Sequence, residues 1–215
     1  MQLIGMLDSP YVRRVAVTLL TAGAAFQHRP ISLFRHIDEF SKINPLLKAP
    51  ALVTEDGTVL VESNVILEYL AALSPGIAAL APRTPNAFRA TGLALTVCEK
   101  AVQVYYEREL RAPSERSQSW IARIDKQLRL GLEAQDREAP EAGWLGGRAL
   151  GLADITVACA FGFTQSTLAG IADPAIVDIA DLARYPKLAA FCARAEGLPA
   201  FRAAPPVDGV MAPVH

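Results

Sequence analysis

The first 75 or so residues alternate short apolar runs with helical stripes. The run "QLIGM" (residues 2–6) is short and apolar, the pattern of a buried strand. Ser9 then reads as a helix N-cap and Pro10 as the first helical residue. Val12, Val15, Ala16, Leu19 and Leu20 recur at helical spacing and form one apolar stripe, with Gly23 as the stop. "FQHRPI" (residues 26–31) reads as a second strand. A helix between two strands predicts that they run parallel. A loop or short helix crosses residues 35–44. "ALVT" and "TVLV" are rich in β-formers and flank Asp56-Gly57, which predicts a hairpin. Ser63 is placed to cap the next helix, whose stripe is Ile66, Leu67, Leu70 and Ala71. The order is βαβ, loop, ββα, an α/β domain with a mixed sheet.

"SPGIAALAPRTPNA" breaks this pattern with three prolines and a glycine. It places a linker at 75–87, between a domain over 1–74 and a second over 88–215. The second domain shows no strand pattern and reads as all-α. Residues 86–112 form one long helical pattern ended by Pro113. Residues 117–139 form another, with Ile121, Ile124, Leu128, Leu132 and Gln135 on one side and Pro140 as its stop. Residues 151–168 are apolar nearly all round, which predicts a central, buried helix. Pro186 opens a further helix with Leu188, Phe191, Cys192 and Ala195 inside.

Composition narrows the functional classes. A net charge of -1 over 215 residues offers no polyanion-binding surface, so nucleic acid is not an expected partner. No apolar run approaches the roughly 18 residues a membrane span needs, and no membrane association is expected. The N-terminus lacks a basic region followed by an apolar stretch, so the expected location is cytoplasmic. Cys98, Cys159 and Cys192 stand far apart in apolar helical context and read as buried thiols, not as a dithiol or zinc cluster. His28, His36 and His215 are too scattered for a metal site.

The candidate chemistry lies in the first half. The segment "LDSPYVRRVAVTLL" carries a hydroxyl, Ser9, but no histidine, cysteine or carboxylate pair to activate it. Pro50 stands directly before a strand, where a proline cannot donate to the ladder. It is either a trans proline at a strand start or a cis peptide that opens the backbone of Ala49 to a ligand. Ser63 at a helix start suits a carboxylate, and Glu62 beside it suits an ammonium. The pair reads equally as a cap followed by a solvated acid.

Taken in order, these pieces resemble the cytosolic glutathione S-transferase family over nearly the whole chain. "NPLLKAPALVTEDGTVLVESNVILEYL" is similar to that family's stretch around its cis-proline and Glu-Ser pair. "GWLGGRALGLADITVACA" is similar to the capping segment of its helical domain, and "YPKLAAFCARAEGLPAFRAA" to its last helices. The opening "SPYVRRV" is closest to the serine-type branches, including a bacterial YibF-like group.

The resemblance implies a thioredoxin-like N-terminal domain that binds glutathione as co-substrate, without a metal. Ala49 would pair with the cysteinyl segment across a cis Pro50. Glu62 and Ser63 would take the γ-glutamyl ammonium and carboxylate, and Lys48 the glycyl carboxylate. Ser9 would donate to the thiol and stabilise the thiolate, the form that attacks. As an N-cap it would sit at the helix start either way. Tyrosine-type activation is not supported, because Met6 and Leu7 occupy those positions, and the Ser-Ser-Cys run of the isomerase branch is absent. A small apolar electrophile would sit near Leu7, Tyr11, Tyr105 and Tyr106. The expected reaction is conjugation, with peroxidase or dehalogenase chemistry, or a non-catalytic binding role, as alternatives at the same site. Family members are typically homodimers, and the same is expected here. The family's Ser/Thr-x-x-Asp capping box reads Gly151-Leu152-Ala153-Asp154, in which Asp154 still reaches the Gly151 amide and is structural.

Overall fold

The computed structural model describes residues 1–168 and 170–206. The chain divides into two compact units. The first comprises Met1–Ala81 together with the C-terminal stretch from Leu198, and the second is Pro82–Gly197.

The first unit is built on four strands, β1 (Gln2–Ile4), β2 (Gln27–Arg29), β3 (Ala51–Val53) and β4 (Val59–Val61). Their order in the sheet is β2-β1-β3-β4. β1 pairs parallel to β2, and the other two pairings are antiparallel, so the sheet is mixed as the pattern predicts. Gly57 closes the β3–β4 hairpin with φ +86°, a conformation glycine adopts at no steric cost. Helix α1 (Pro10–Thr21) lies between β1 and β2. It ends in a Schellman arrangement at Gly23: the Gly23 amide donates to Leu20 and the Ala24 amide to Leu19. Leu3, Ile4, Val12, Val15, Leu19, Leu52, Ile66 and Leu70 form the buried interior. The short helix α2 (Ile37–Ile43) contributes Phe40, which packs with Ile4, Ile31 and Ala51.

Helix α3 spans Ser63–Leu73. Its cap differs from the expectation. Glu62 is the N-cap and its carboxylate accepts from the Asn64 and Val65 amides, while Ser63 is already helical. The longer side chain reaches the orphan amides from one residue further out, and the Ser63 hydroxyl is engaged elsewhere.

The segment read as a linker contains helix α4 (Pro75–Leu80), capped by Ser74. Only residues 81–84 separate it from α5 (Pro85–Tyr105), whose cap is Thr84. Ser74-Pro75 and Thr84-Pro85 are cap-and-N1 pairs, so two of the three prolines start helices.

The second unit holds α5, α6 (Gln118–Glu138), α7 (Leu152–Leu168), α8 (Pro174–Ala180) and α9 (Pro186–Glu196). The apolar α7 is buried on all sides and packs against α5, α8 and α9. Gly131 of α6 lets that helix approach α5: a Cβ there would lie 2.7 Å from Val97. The single long helix expected over 86–112 is interrupted. After Tyr105 the chain widens into a π-helical turn, Tyr106–Leu110. Arg108 on that turn is buried and forks onto Asp125 at 3.0 and 2.6 Å, with Nε donating to Asp173 at 2.9 Å. Helix α10 (Pro199–Ala203) falls in the first unit, not in the helical domain expected over 88–215. It packs on α1, where Arg13 Nε donates to the Ala204 carbonyl at 2.8 Å and the guanidinium lies 5.4 Å from the Phe201 ring.

Candidate active site

Three loops of the first unit carry the expected residues, and α1 connects them. Ser9 stands at the start of α1 with extended backbone (φ -68°, ψ 123°). Its Oγ accepts from the Val12 amide at 3.4 Å. A hydroxyl has one proton and two lone pairs. Among the described residues no acceptor takes the Ser9 proton, so capping leaves the donor uncommitted.

Ala49 lies beside this turn. Gly5, just after β1, has φ +131°, and a Cβ there would meet Val12 at 2.7 Å and Ala49 at 3.0 Å. Three backbone segments therefore converge at a point only glycine fits: the end of β1, the first turn of α1 and Ala49. The Ala49-Pro50 peptide is cis. The preceding loop is braced by Asn44, which is buried. Its Nδ2 donates to the Lys48 carbonyl at 2.7 Å and its Oδ1 accepts from the Leu46 amide at 3.1 Å. The Lys48 side chain is exposed.

The third loop is the Glu62–Ser63 turn. Glu62 has φ +72°, a conformation that non-glycine residues seldom adopt. Glu62 Oε2 accepts from the Asn64 amide at 3.0 Å. Ser63 is buried, and its Oγ accepts from Arg14 Nη1 at 3.0 Å. The same nitrogen donates to Asn64 Oδ1 at 2.8 Å. Arg14 thus ties α1 to the start of α3.

Arg14, Asn44 and Asn64 were not singled out from the sequence. The signal for Arg14 was present: two arginines interrupt an apolar stripe at Val12–Val15, and both are buried. A buried arginine needs built partners.

The residues expected to line an electrophile cleft divide between the units. Leu7 is buried and Tyr11 half-buried in the first. Tyr105 is buried and Tyr106 is 41% exposed in the second, with ring centroids 6.3 Å apart and edge to face. Burial raises the Tyr106 phenol above its ordinary 10.0. Asp154 is fully buried in the second unit and accepts from the Leu145 amide at 2.7 Å and the Gly151 amide at 2.8 Å, the latter as the capping box requires. Cys98, Cys159 and Cys192 are buried thiols that form no disulfide among the described residues, and burial raises the Cys192 thiol well above its ordinary value. His28 binds the Gly5 carbonyl through Nε2 and His36 accepts from the Ser32 amide, while His215 lies outside the described residues. Among the described residues no group of three or more His, Cys, Asp or Glu is arranged to hold a metal ion, and no helix is long and apolar enough to cross a membrane.

Residues 3–78 match the family model for the glutathione S-transferase N-terminal domain, and residues 118–194 match that for the C-terminal domain. The chain belongs to the glutathione S-transferase family. It is 28% identical over 167 residues to an uncharacterized GST-like protein, YibF, of Escherichia coli K12, covering 76% of this chain and 81% of that one. It is 30% identical over 153 residues to a maleylacetoacetate isomerase of Pseudomonas aeruginosa, covering 66% and 71%. Among solved structures, a glutathione S-transferase of Methylobacterium radiotolerans in complex with glutathione sulfonate superposes with a TM-score of 0.85 at 27% identity, covering 98% of this chain and 97% of that one. One from Methylobacillus flagellatus with glutathione bound gives 0.81 at 26%, covering 96% and 99%.

Proposed function

We propose that this glutathione S-transferase family member conjugates glutathione to a small apolar electrophile, with Ser9 activating the thiol. The observation that carries the reading is the Ser9 hydroxyl. It caps α1 through a lone pair, and among the described residues no acceptor takes its proton at the positive end of that helix. A proton donated to the bound sulfur favours the thiolate, and no base from the protein is needed. Ala49, beside that turn and before a cis proline, is the backbone group for the cysteinyl segment. Glu62 is the partner of the γ-glutamyl ammonium, Ser63 of its carboxylate, and the exposed Lys48 of the glycyl carboxylate. Leu7, Tyr11, Tyr105 and Tyr106 are the side chains assigned to the electrophile, and the active protein is a homodimer. Glutathione peroxidase and dehalogenase reactions would use the same thiolate.

The test is calorimetric titration with glutathione, wild type against Ser9→Ala, with thiolate absorbance followed against pH. A hydrogen bond to a charged acceptor is worth about 1.5–3 kcal/mol, so losing it raises the bound thiol's pKa by about one to two units. Binding that persists in Ser9→Ala with the ionisation curve moved to higher pH supports the assignment. Superimposable curves make Ser9 a cap alone. If wild type binds no glutathione, the transferase reading fails.

A further inference from the structure

Arg14 lies one turn beyond Ser9 and is 1% exposed. Its Nη1 donates both to Ser63 Oγ, at 3.0 Å, and to Asn64 Oδ1, at 2.8 Å. A guanidinium has donors and no acceptor. At both contacts the neutral partner must therefore present a lone pair. This fixes the polarity of two groups that could otherwise face either way. The Ser63 hydroxyl has to send its proton away from Arg14, and the Asn64 amide is locked with Nδ2 turned away from it.

Both freed donors point at one oxygen. Glu62 Oε1 lies 3.5 Å from Ser63 Oγ and 3.4 Å from Asn64 Nδ2. Good charge-assisted bonds to a carboxylate run at about 2.7–2.9 Å. The two donors thus converge on a carboxylate oxygen that fits them loosely, because the same Glu62 carboxylate is committed through Oε2 to capping α3.

We infer that Arg14 is a positioning residue that turns Ser63 and Asn64 into a paired donor site for the γ-glutamyl carboxylate of glutathione, with Asn64 Nδ2 as a second direct contact. Glu62 Oε1 holds that place until the ligand carboxylate takes it. Displacing it also uncovers the buried Ser63 and frees a Glu62 oxygen for the neighbouring ammonium. The inference rests on the glutathione reading given above.

The experiment compares two ligands by calorimetry. One is glutathione. The other is 4-aminobutanoyl-cysteinyl-glycine, which keeps the amine, thiol and glycyl carboxylate but lacks the γ-glutamyl carboxylate. Wild type should prefer glutathione by about tenfold to a hundredfold. Arg14→Met should lose most of that preference, and Asn64→Ala about threefold to tenfold of it, with affinity for the analogue unchanged in both. A merely structural role for Arg14 would weaken both ligands alike. Equal weakening, a preference retained in the variants, or no preference in wild type overturns the inference while leaving glutathione binding intact. If Arg14→Met does not fold by circular dichroism, Asn64→Ala decides alone, since that side chain is exposed. Wild type that binds neither ligand removes the glutathione reading itself.

Discussion

Asp154 offers a quantitative test of how the helical unit is held. Its two carboxylate oxygens accept from two backbone amides, Leu145 at 2.7 Å and Gly151 at 2.8 Å, and the side chain is fully buried. Asp154→Asn keeps the shape but has only one oxygen. One amide then faces an NH2 group, donor against donor. Losing a hydrogen bond to a charged group costs about 1.5–3 kcal/mol, and a buried unsatisfied N–H about 1–3 kcal/mol. Removing a buried charge returns part of this. We expect a net loss of about 2–3 kcal/mol, or about 4–12 °C in the melting temperature of a chain this size. The pH dependence adds a second readout. Burial, opposed by the two amides, holds the Asp154 carboxyl above its ordinary 3.8. A group with a raised folded pKa contributes stability that is fully present below the unfolded value and is lost as pH rises through the folded one. The gap between wild type and Asp154→Asn should therefore narrow from acid toward neutral pH and then level off at the hydrogen-bond difference. Thermal melts across that range measure it. A difference below about 0.5 kcal/mol, the size of an inconsequential surface change, would refute the account, as would a gap that widens with rising pH.

Asp173 should behave oppositely: its bond to Arg108 holds the carboxyl below 3.8, so its contribution is present above that value and lost as pH falls through it. Because its side chain is 38% exposed, we expect Asp173→Asn to cost under about 1 kcal/mol near neutral pH and nothing in acid, read from urea midpoints. Gly5→Ala should destabilise by about 2–4 kcal/mol, from crowding against Val12 and Ala49 and the strain of φ +131°, and should weaken glutathione binding more than a distant change of equal cost; unaltered binding would detach Ala49 from the site. Gln135 is buried, and neither of its amide atoms has a hydrogen-bond partner among the described residues; a cavity of about 10 Å³ lies beside it. Gln135→Met removes both orphaned groups at similar volume, so the melting temperature should hold or rise; a fall equivalent to more than about 1 kcal/mol would show that the amide is satisfied in solution.

The sheet was legible because local signals agreed: Ser9-Pro10 starting a helix, Gly23 ending it and Asp56-Gly57 turning a hairpin each act within a few residues. Where local and distant demands diverged, the pattern misled. Ser63 has the right chemistry for a cap, but a buried guanidinium 49 residues away claims its hydroxyl, and Glu62 caps instead. Nothing between Tyr105 and Leu110 announces a π turn. Arg108 on that turn is bound by Asp125 and Asp173, 17 and 65 residues away, beyond any local window. The prolines of residues 75–87 read locally as breakers, yet Pro75 and Pro85 start helices. The candidate site divides the same way: Ser9, Pro50 and Glu62–Ser63 show in short motifs, whereas Arg14 and Asn44 matter only through the groups that folding brings to them.

The return of the chain's end to its beginning fixes an order of events during synthesis. The first unit is assembled from both termini, with Arg13 on α1 bound to the carbonyl of Ala204. On the ribosome, the whole of Pro82–Gly197 leaves the exit tunnel before α10 does. The unit that starts first is therefore finished last, and a nascent Arg13 spends most of translation without the acceptor it will finally bury against. On the ribosome, an exposed α1 would therefore mark a chain from which α10 has not yet emerged.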